Sequence, residues 1–340
     1  MKKIFNPPSP FHSDQRELLE PASEANLEVY EDHARSILSY NESPDLSFRW
    51  SVNPYRGCFH SCAYCYARRY HEYLDLGAGT DFETKIAIKK NAGELLRAEF
   101  LKKSWKGESI LFSGATDCYQ PLEAVYKLTQ DCLKVCVEYK NPAVIISKSF
   151  LVTRDIELIR ELHQVSFCPV VISIPFLDES TARKIEPQAS AIERRFQAVE
   201  MLAKAGISVG ISLAPTIPGL NENDIPKILE KASSVGASFA FHTLLRLSGS
   251  VKDVFFEKIN KVLSAEKVER ITKRIQETRG GKINNSEFAI RMMGQGVYWK
   301  SIHDIFRIYQ EKFNLAKFPQ EPIPSKFTIP QPQMEFTFLG

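Results

Sequence analysis

Between residues 49 and 246, short β-branched runs alternate with amphipathic stretches six times over. The runs are FRWSV (48–52), SILFSGA (109–115), AVIISK (143–148), CPVVISI (168–174), ISVGISLAP (207–215) and ASFAFHTLLR (237–246). The intervening stretches predict helices over 62–75, 121–138, 153–163, 190–205 and 221–236. One carries explicit punctuation: in SAIERRFQAVEMLAKAG, Ser190 reads as N-cap, Glu193 completes a capping box and Gly206 marks the stop. Such alternation implies parallel strands joined by right-handed crossovers, because a twisted strand feeding a helix packs back onto its sheet only that way. At about 33 residues per unit, the spacing is close to the roughly 31 of an eightfold barrel. Six units are too few to close one. The expected fold is therefore α/β, a partial (β/α)6 TIM-type barrel.

The flanks read differently. Residues 1–48 form a polar leader with Pro7, Pro8, Pro10, Pro21 and Pro44, and a predicted helix in SEANLEVYEDHARSIL. The barrel is expected over 49–250. A helical C-terminal extension follows over 251–317, opening with a helix over 251–279, and then a proline-rich tail over 318–340 without regular structure. No internal sequence repeat accompanies the structural periodicity. The composition, 44% hydrophobic and 25% charged, is that of an ordinary globular chain. A net charge of +3 neither demands nor excludes nucleic acid. No run approaches the roughly 18 apolar residues of a membrane span, and MKKIFNPPSPFHSD lacks the apolar stretch of a secretory signal. A cytoplasmic location without membrane partners is expected. Seven cysteines, an odd number, favour reduced thiols or metal ligation over a disulfide framework.

Three of the seven fall together in GCFHSCAYCYAR, as Cys58, Cys62 and Cys65. Thiolates at this spacing suit three irons of a cubic iron–sulfur cluster wrapped by one loop. His60, inside the loop, is poorly placed to reach the remaining corner. Zinc is the competitor, but a structural zinc site takes four ligands, usually as two separated pairs. No second pair of that form follows. Cys132 and Cys136, one helical turn apart among Leu128, Leu133 and Val135, read as core residues, as does Cys168. Arg194 and Arg195 read as a solvated helix face. Gly77-Ala78-Gly79 is followed by no nucleotide-binding pattern, and no phosphate-binding loop motif occurs.

CFHSCAYC resembles the signature of the radical S-adenosylmethionine (SAM) superfamily, C-x3-C-x-aromatic-C, with Tyr64 as the aromatic. With SPDLSFRWSVNPYRGCFHSCAYCYAR, DFETKIAIKKNAGELL, TDCYQPLE, APTIPGLN, LLRL and RMMGQG, the chain resembles the spore photoproduct lyase-like branch over roughly residues 43–310. The resemblance implies a 4Fe-4S cluster on Cys58, Cys62 and Cys65, with the fourth iron chelated by SAM. It implies reductive cleavage of SAM to a 5′-deoxyadenosyl radical that abstracts hydrogen from a substrate. An electron donor such as flavodoxin or ferredoxin and a nucleic-acid base or lesion as substrate are implied in the same way.

In a parallel barrel, ligands sit where the strands end and the βα loops converge. By resemblance, Tyr64, Thr116, Asp117, Lys148 and Ser173 are expected at the SAM pocket, with Lys148 on its carboxylate and residues 214–219 against its adenine. Tyr66 matches a tyrosine of the lyase's radical relay. The lyase's hydrogen-donating cysteine lies three residues before the SAM-contacting aspartate, and here that position is Gly114. Cys118, next to Asp117, is the substitute candidate. Two other readings compete: an iron–sulfur electron-transfer or sensing protein that does not turn over SAM, and a zinc-stabilised binding module.

Overall fold

In the computed structural model, residues 2–4, 27–46, 48–288, 290–321 and 324–330 are described. The strands are β1 (Lys2–Ile4), β2 (Glu28–Glu31), β3 (Leu38–Tyr40), β4 (Trp50–Val52), β5 (Tyr55–Arg56), β6 (Lys85–Ile88), β7 (Ile110–Phe112), β8 (Ala143–Ser147), β9 (Val170–Ser173), β10 (Val209–Thr216) and β11 (Phe239–Leu244). The helices are α1 (Arg68–His71), α2 (Thr80–Thr84), α3 (Ala92–Phe100), α4 (Glu123–Tyr126), α5 (Leu128–Glu138), α6 (Ile156–Val165), α7 (Glu179–Ile185), α8 (Ile192–Lys204), α9 (Ile225–Ser234), α10 (Ser250–Val262), α11 (Ala265–Thr278) and α12 (Gly296–Lys312).

The main sheet runs β11-β10-β9-β8-β7-β4-β3. Its six strands from β4 to β11 are parallel and lie in sequence order, each beside its predecessor, and β3 adds antiparallel to β4. This is the order of a barrel wound in one direction, here with two free ends. The interior strand β9, VVIS, is buried at every position, as a parallel strand covered on both faces must be. A second sheet, β1-β2-β6-β5, combines the leader with the strands on either side of the cysteine loop.

The six predicted strands all form, most of them shorter than predicted, while β10 runs one residue past its predicted end. Gly206 does stop α8: its N–H bonds to Ala203 O at 2.9 Å and that of Ile207 to Leu202 O at 3.1 Å, the paired bonds of a Schellman end. Other expectations fail for identifiable reasons. In the leader, the part of the predicted helix that falls within the described residues contains β2 instead, because Glu28–Glu31 pair in parallel with β6; its first residues lie outside them. The Ser190 hydroxyl does not cap α8 but accepts from Phe150 N at 2.9 Å, while Glu193 pairs with Lys231. The helix expected over 62–75 is reduced to α1 and a 3-10 turn over 72–74, since the cysteine loop keeps the backbone irregular and Asp75 turns left-handed. Lys127, at φ 55°, splits the helix expected over 121–138 into α4 and α5. The helix expected over 251–279 divides at Leu263 and Ser264 into α10 and α11, with Ser264 capping the second.

Of the expected tail, 318–321 and 324–330 are irregular, and Phe327 packs against Phe100 and Tyr139; 331–340 lie outside the described residues. No helix among the described residues is long and apolar enough to cross a membrane.

Candidate active site

The cysteine loop leaves β5 at Gly57, whose φ of 80° suits glycine. A Cβ there would lie 2.9 Å from Ile86 Cδ1 and 3.0 Å from Phe82 O. Cys58 N then donates to Phe82 O at 2.8 Å, Ala63 N to Ile185 O at 2.9 Å, and Phe59 N to the Gln120 side chain at 3.0 Å. The loop is thus fixed by bonds to distant segments. Arg68, fully buried, secures it from below. Its guanidinium donates to Cys62 O (2.8 and 3.0 Å), Ser61 O (3.1 Å), Ala78 O (2.9 Å) and Gly79 O (3.1 Å), and pairs with Glu83. Glu83 in turn pairs with Lys258 of α10, which ties the C-terminal extension to the loop.

Cys58 and Cys62 are buried, Cys65 half-buried, and all three are free thiols. Burial, then the Asp117 charge and Cys65, push Cys58 up to about 12. Burial and Glu186 push Cys62 well above its ordinary value, and burial raises Cys65. Thiolates in such a place need a compensating cation, which bound iron supplies. Among the described residues, no three His, Cys, Asp or Glu side chains converge on a point that one ion would occupy. Three free thiols carried by one loop suit the corners of a cubic iron–sulfur cluster.

The ends of β7 and β8 meet at Asp117. Its carboxylate accepts from Ser147 Oγ (2.7 Å), Lys148 N (2.7 Å) and Tyr119 N (2.9 Å), and lies 3.3 Å from His60 Nδ1. Burial alone would raise this carboxyl; His60 and the donors from Lys148 and Ser147 outweigh it and hold Asp117 down at about 2. The Thr116 hydroxyl donates to Gly57 O at 2.8 Å and accepts from Gln120 Nε2 at 3.1 Å. Thr116 and Asp117 are therefore brought to the expected strand end, where their side chains brace the cysteine loop and the start of the next connection.

Lys148 follows β8, its Nζ 5.7 Å from the centre of the Tyr64 ring. No carboxylate lies within ion-pairing distance of it among the described residues. The Tyr64 hydroxyl donates to Glu186, which pairs with Arg195 Nη2 at 2.6 Å. Arg195 also donates to Ser173 O at 3.1 Å and Ser190 O at 2.7 Å. This corrects the expected solvated face: Arg195 is 1% exposed and links α8 to the end of β9 and, through Glu186, to the cysteine loop. Ser173 is buried at that same strand end. The 214–219 segment is held by Asn221, which donates to Pro175 O and Pro215 O and accepts from Ile217 N at 2.6 Å.

Tyr66 stands at the open side, 43% exposed, and donates to Gly114 O at 3.0 Å. Gly114 is pressed against β4: a Cβ there would lie 2.7 Å from Ser51 Oγ and 2.8 Å from Ser51 Cβ. Cys118 is fully buried in the hydrophobic core, its N–H on Ser113 Oγ at 3.0 Å, and burial first and Asp117 second raise its thiol well above the usual value. The sequence reading missed Arg68, Gln120, Glu186 and Asn221. Arg68, Gln120 and Asn221 lie inside quoted motifs and Glu186 in none, and only the folded chain gives them their partners.

Parallel strands in sequence order, with three reduced thiols in the first loop and a cation at the third strand end, define a SAM-dependent radical enzyme fold. The chain belongs to the radical SAM superfamily, whose pattern it matches over residues 52–232. Members of this family use a 4Fe-4S cluster and SAM. The chain is 33% identical over 212 residues to an uncharacterized protein of Mycobacterium tuberculosis, covering 62% of each chain. It thus spans less than two thirds of that relative's length. It is 24% identical to a radical SAM Nalpha-GlyT isomerase of Pseudomonas phage M6, over 74% of this chain and 51% of that one. Its fold is similar to spore photoproduct lyase complexed with dinucleoside spore photoproduct, at a TM-score of 0.60 and 15% identity, over 85% and 81% of the two chains.

Proposed function

We propose that this protein abstracts hydrogen from a nucleic-acid base, with Cys58, Cys62 and Cys65 as the cluster ligands. When bound, a reduced cluster and SAM supply a 5′-deoxyadenosyl radical. The chain's own part is to hold and orient. Lys148 receives the SAM carboxylate, since it is a half-buried cation lacking an anionic partner. Tyr64 and Ser173 line the same pocket, and Thr116 and Asp117 position the loop and Lys148. The observation that carries this reading is the meeting of three reduced thiols and the unpaired Lys148 at one end of the sheet. We take residues 49–250 as the catalytic unit and 251–317 as its cover, with Lys258 bridging the two. Reduced thiols throughout support a cytoplasmic location, with flavodoxin or ferredoxin as electron donor.

The test is anaerobic reconstitution, with iron counted and 5′-deoxyadenosine quantified after adding SAM and dithionite. About four irons per chain and slow 5′-deoxyadenosine formation are expected. Stoichiometric zinc without iron uptake would overturn it, and intact SAM beside a redox-active cluster would favour the electron-transfer alternative.

The reaction differs from that of spore photoproduct lyase. Gly114 stands where the lyase has its hydrogen-donating cysteine, and the space for any side chain there is filled by Ser51. Cys118, sealed in the core, reads as structural. Incubation of loaded enzyme with a spore-photoproduct dinucleotide and SAM is expected to restore no thymines cleanly; catalytic repair would refute this.

A further inference from the structure

Three tyrosines line the open side of the site, and the function proposed above uses none of them. Tyr66, Tyr70 and Tyr73 follow one another through α1 and the turn after it, 43%, 39% and 72% exposed. Tyr66 and Tyr70 meet edge to face at 6.3 Å; Tyr70 and Tyr73 are stacked at 6.4 Å, 21° from parallel. Large exposed aromatics in a row are expensive to leave in water, and a track of flat rings suits flat ligands. The inner end is fixed, because the Tyr66 hydroxyl is bonded to Gly114 O at the end of β7.

Two residues beyond β11 stands Arg246. It is half-buried, its one side-chain bond is to Met292 Sδ at 3.5 Å, and no carboxylate ion-pairs with it among the described residues. Asp45, whose charge also reaches Arg246, is ion-paired with the neighbouring Arg291. The Arg246 charge bears on both Tyr66 and Tyr70, so the cation and the rings share one space. An unpaired guanidinium in a partly dry place lacks an anion.

We propose that Tyr70 and Tyr73 stack successive unpaired bases of a single-stranded nucleic acid, while Arg246 takes the phosphate next to the base presented at Tyr66. This rests on the nucleic-acid reading above and narrows it to single strands or unpaired segments, because a base inside a duplex offers no free face to stack. Pairing of sequence-tolerant stacking with one phosphate contact predicts weak base preference and marked salt dependence.

Fluorescence anisotropy of cluster-loaded protein with a labelled oligothymidylate of about eight residues is the test, beside an abasic strand of equal length and the corresponding duplex. The expected order is single strand tightest, with abasic strand and duplex much weaker. Tyr73→Ala and Tyr70→Ala should each weaken single-strand binding about 5- to 150-fold, and Tyr73→Phe, which keeps the ring, should restore it. Arg246→Gln should weaken intact and abasic strands alike and reduce the salt slope by about 0.7. Iron content serves as the folding control for all four variants. If wild-type protein binds none of these oligonucleotides, the nucleic-acid reading fails and this proposal with it. If it binds them but the tyrosine variants bind equally well, the stacking track alone is overturned. A third result would also overturn it: variants that bind oligonucleotide normally but lose flavodoxin-driven, and not dithionite-driven, SAM cleavage would assign the tyrosines to the electron donor.

Discussion

The loop over residues 57–67 and the helix α5 both bury cysteines, and burial is the largest cause of raised thiols in each. In α5, Cys132 and Cys136 lie one turn apart among Leu128, Leu133 and Val135, and the helix satisfies its own backbone. The loop is the opposite case. Its N–H and C=O groups are met by Phe82, Ile185, the Gln120 amide and the Arg68 guanidinium, and Ser61 takes a left-handed conformation within it. Neither burial nor proton affinity separates the two sets of thiols. What separates them is that the loop's shape is imposed from outside, by residues spread over more than a hundred positions of the chain. A backbone kept irregular at such expense of long-range bonding is kept for its geometry.

The comparison breaks most sharply on iron. Cys58→Ala, Cys62→Ala or Cys65→Ala is expected to take the reconstituted chain from about four irons to nearly none and 5′-deoxyadenosine formation to background. Retained cluster in any one of them would mean that the loop is not the ligand set. Next in size is Arg195→Met, which leaves Glu186 charged and buried beside Tyr64. Breaking such a pair destabilises by about 3–5 kcal/mol, measurable by urea unfolding of the apo-protein, and an unchanged midpoint would show that the loop does not lean on α8. Lys148→Ala should leave iron content intact and weaken SAM by roughly 10- to 150-fold in equilibrium dialysis, the loss of one charge-assisted contact of about 1.5–3 kcal/mol. Unaltered SAM affinity would move the carboxylate site elsewhere. The smallest effect is on the other side of the comparison: Cys132→Ala should cost about 1–2 kcal/mol of stability and no iron. Iron loss there would erase the distinction between the two regions.

The main sheet was legible because its strands are short continuous apolar runs with helical spacing between them, a signal that survives without knowledge of contacts. Glu28–Glu31 was not, since its strand exists through pairing with β6, more than fifty residues on. Ser190 had the right type for a helix cap, but the Phe150 N–H claims its hydroxyl. At the site, cysteine spacing and strand-end positions located the thiols, Asp117, Lys148 and Ser173 at one end of the sheet. The partners that shape it were hidden: Tyr64 and Glu186 are 122 positions apart, and Arg195 looks like any charge on an amphipathic helix. The sequence could not show the Thr116 bond either, because which way a hydroxyl turns depends on the acceptor it meets, here Gly57 O.

Arg68 deserves a final consequence. Its donors span the carbonyls of Ser61, Cys62, Ala78 and Gly79, and it belongs to the same short segment it clamps. None of these bonds needs a metal to form. A zinc finger folds around its ion and collapses when a chelator removes it. The Arg68 bonds join protein groups to one another, so a chain stripped by air or chelation is expected to take up iron again without refolding, which circular dichroism before and after reloading checks.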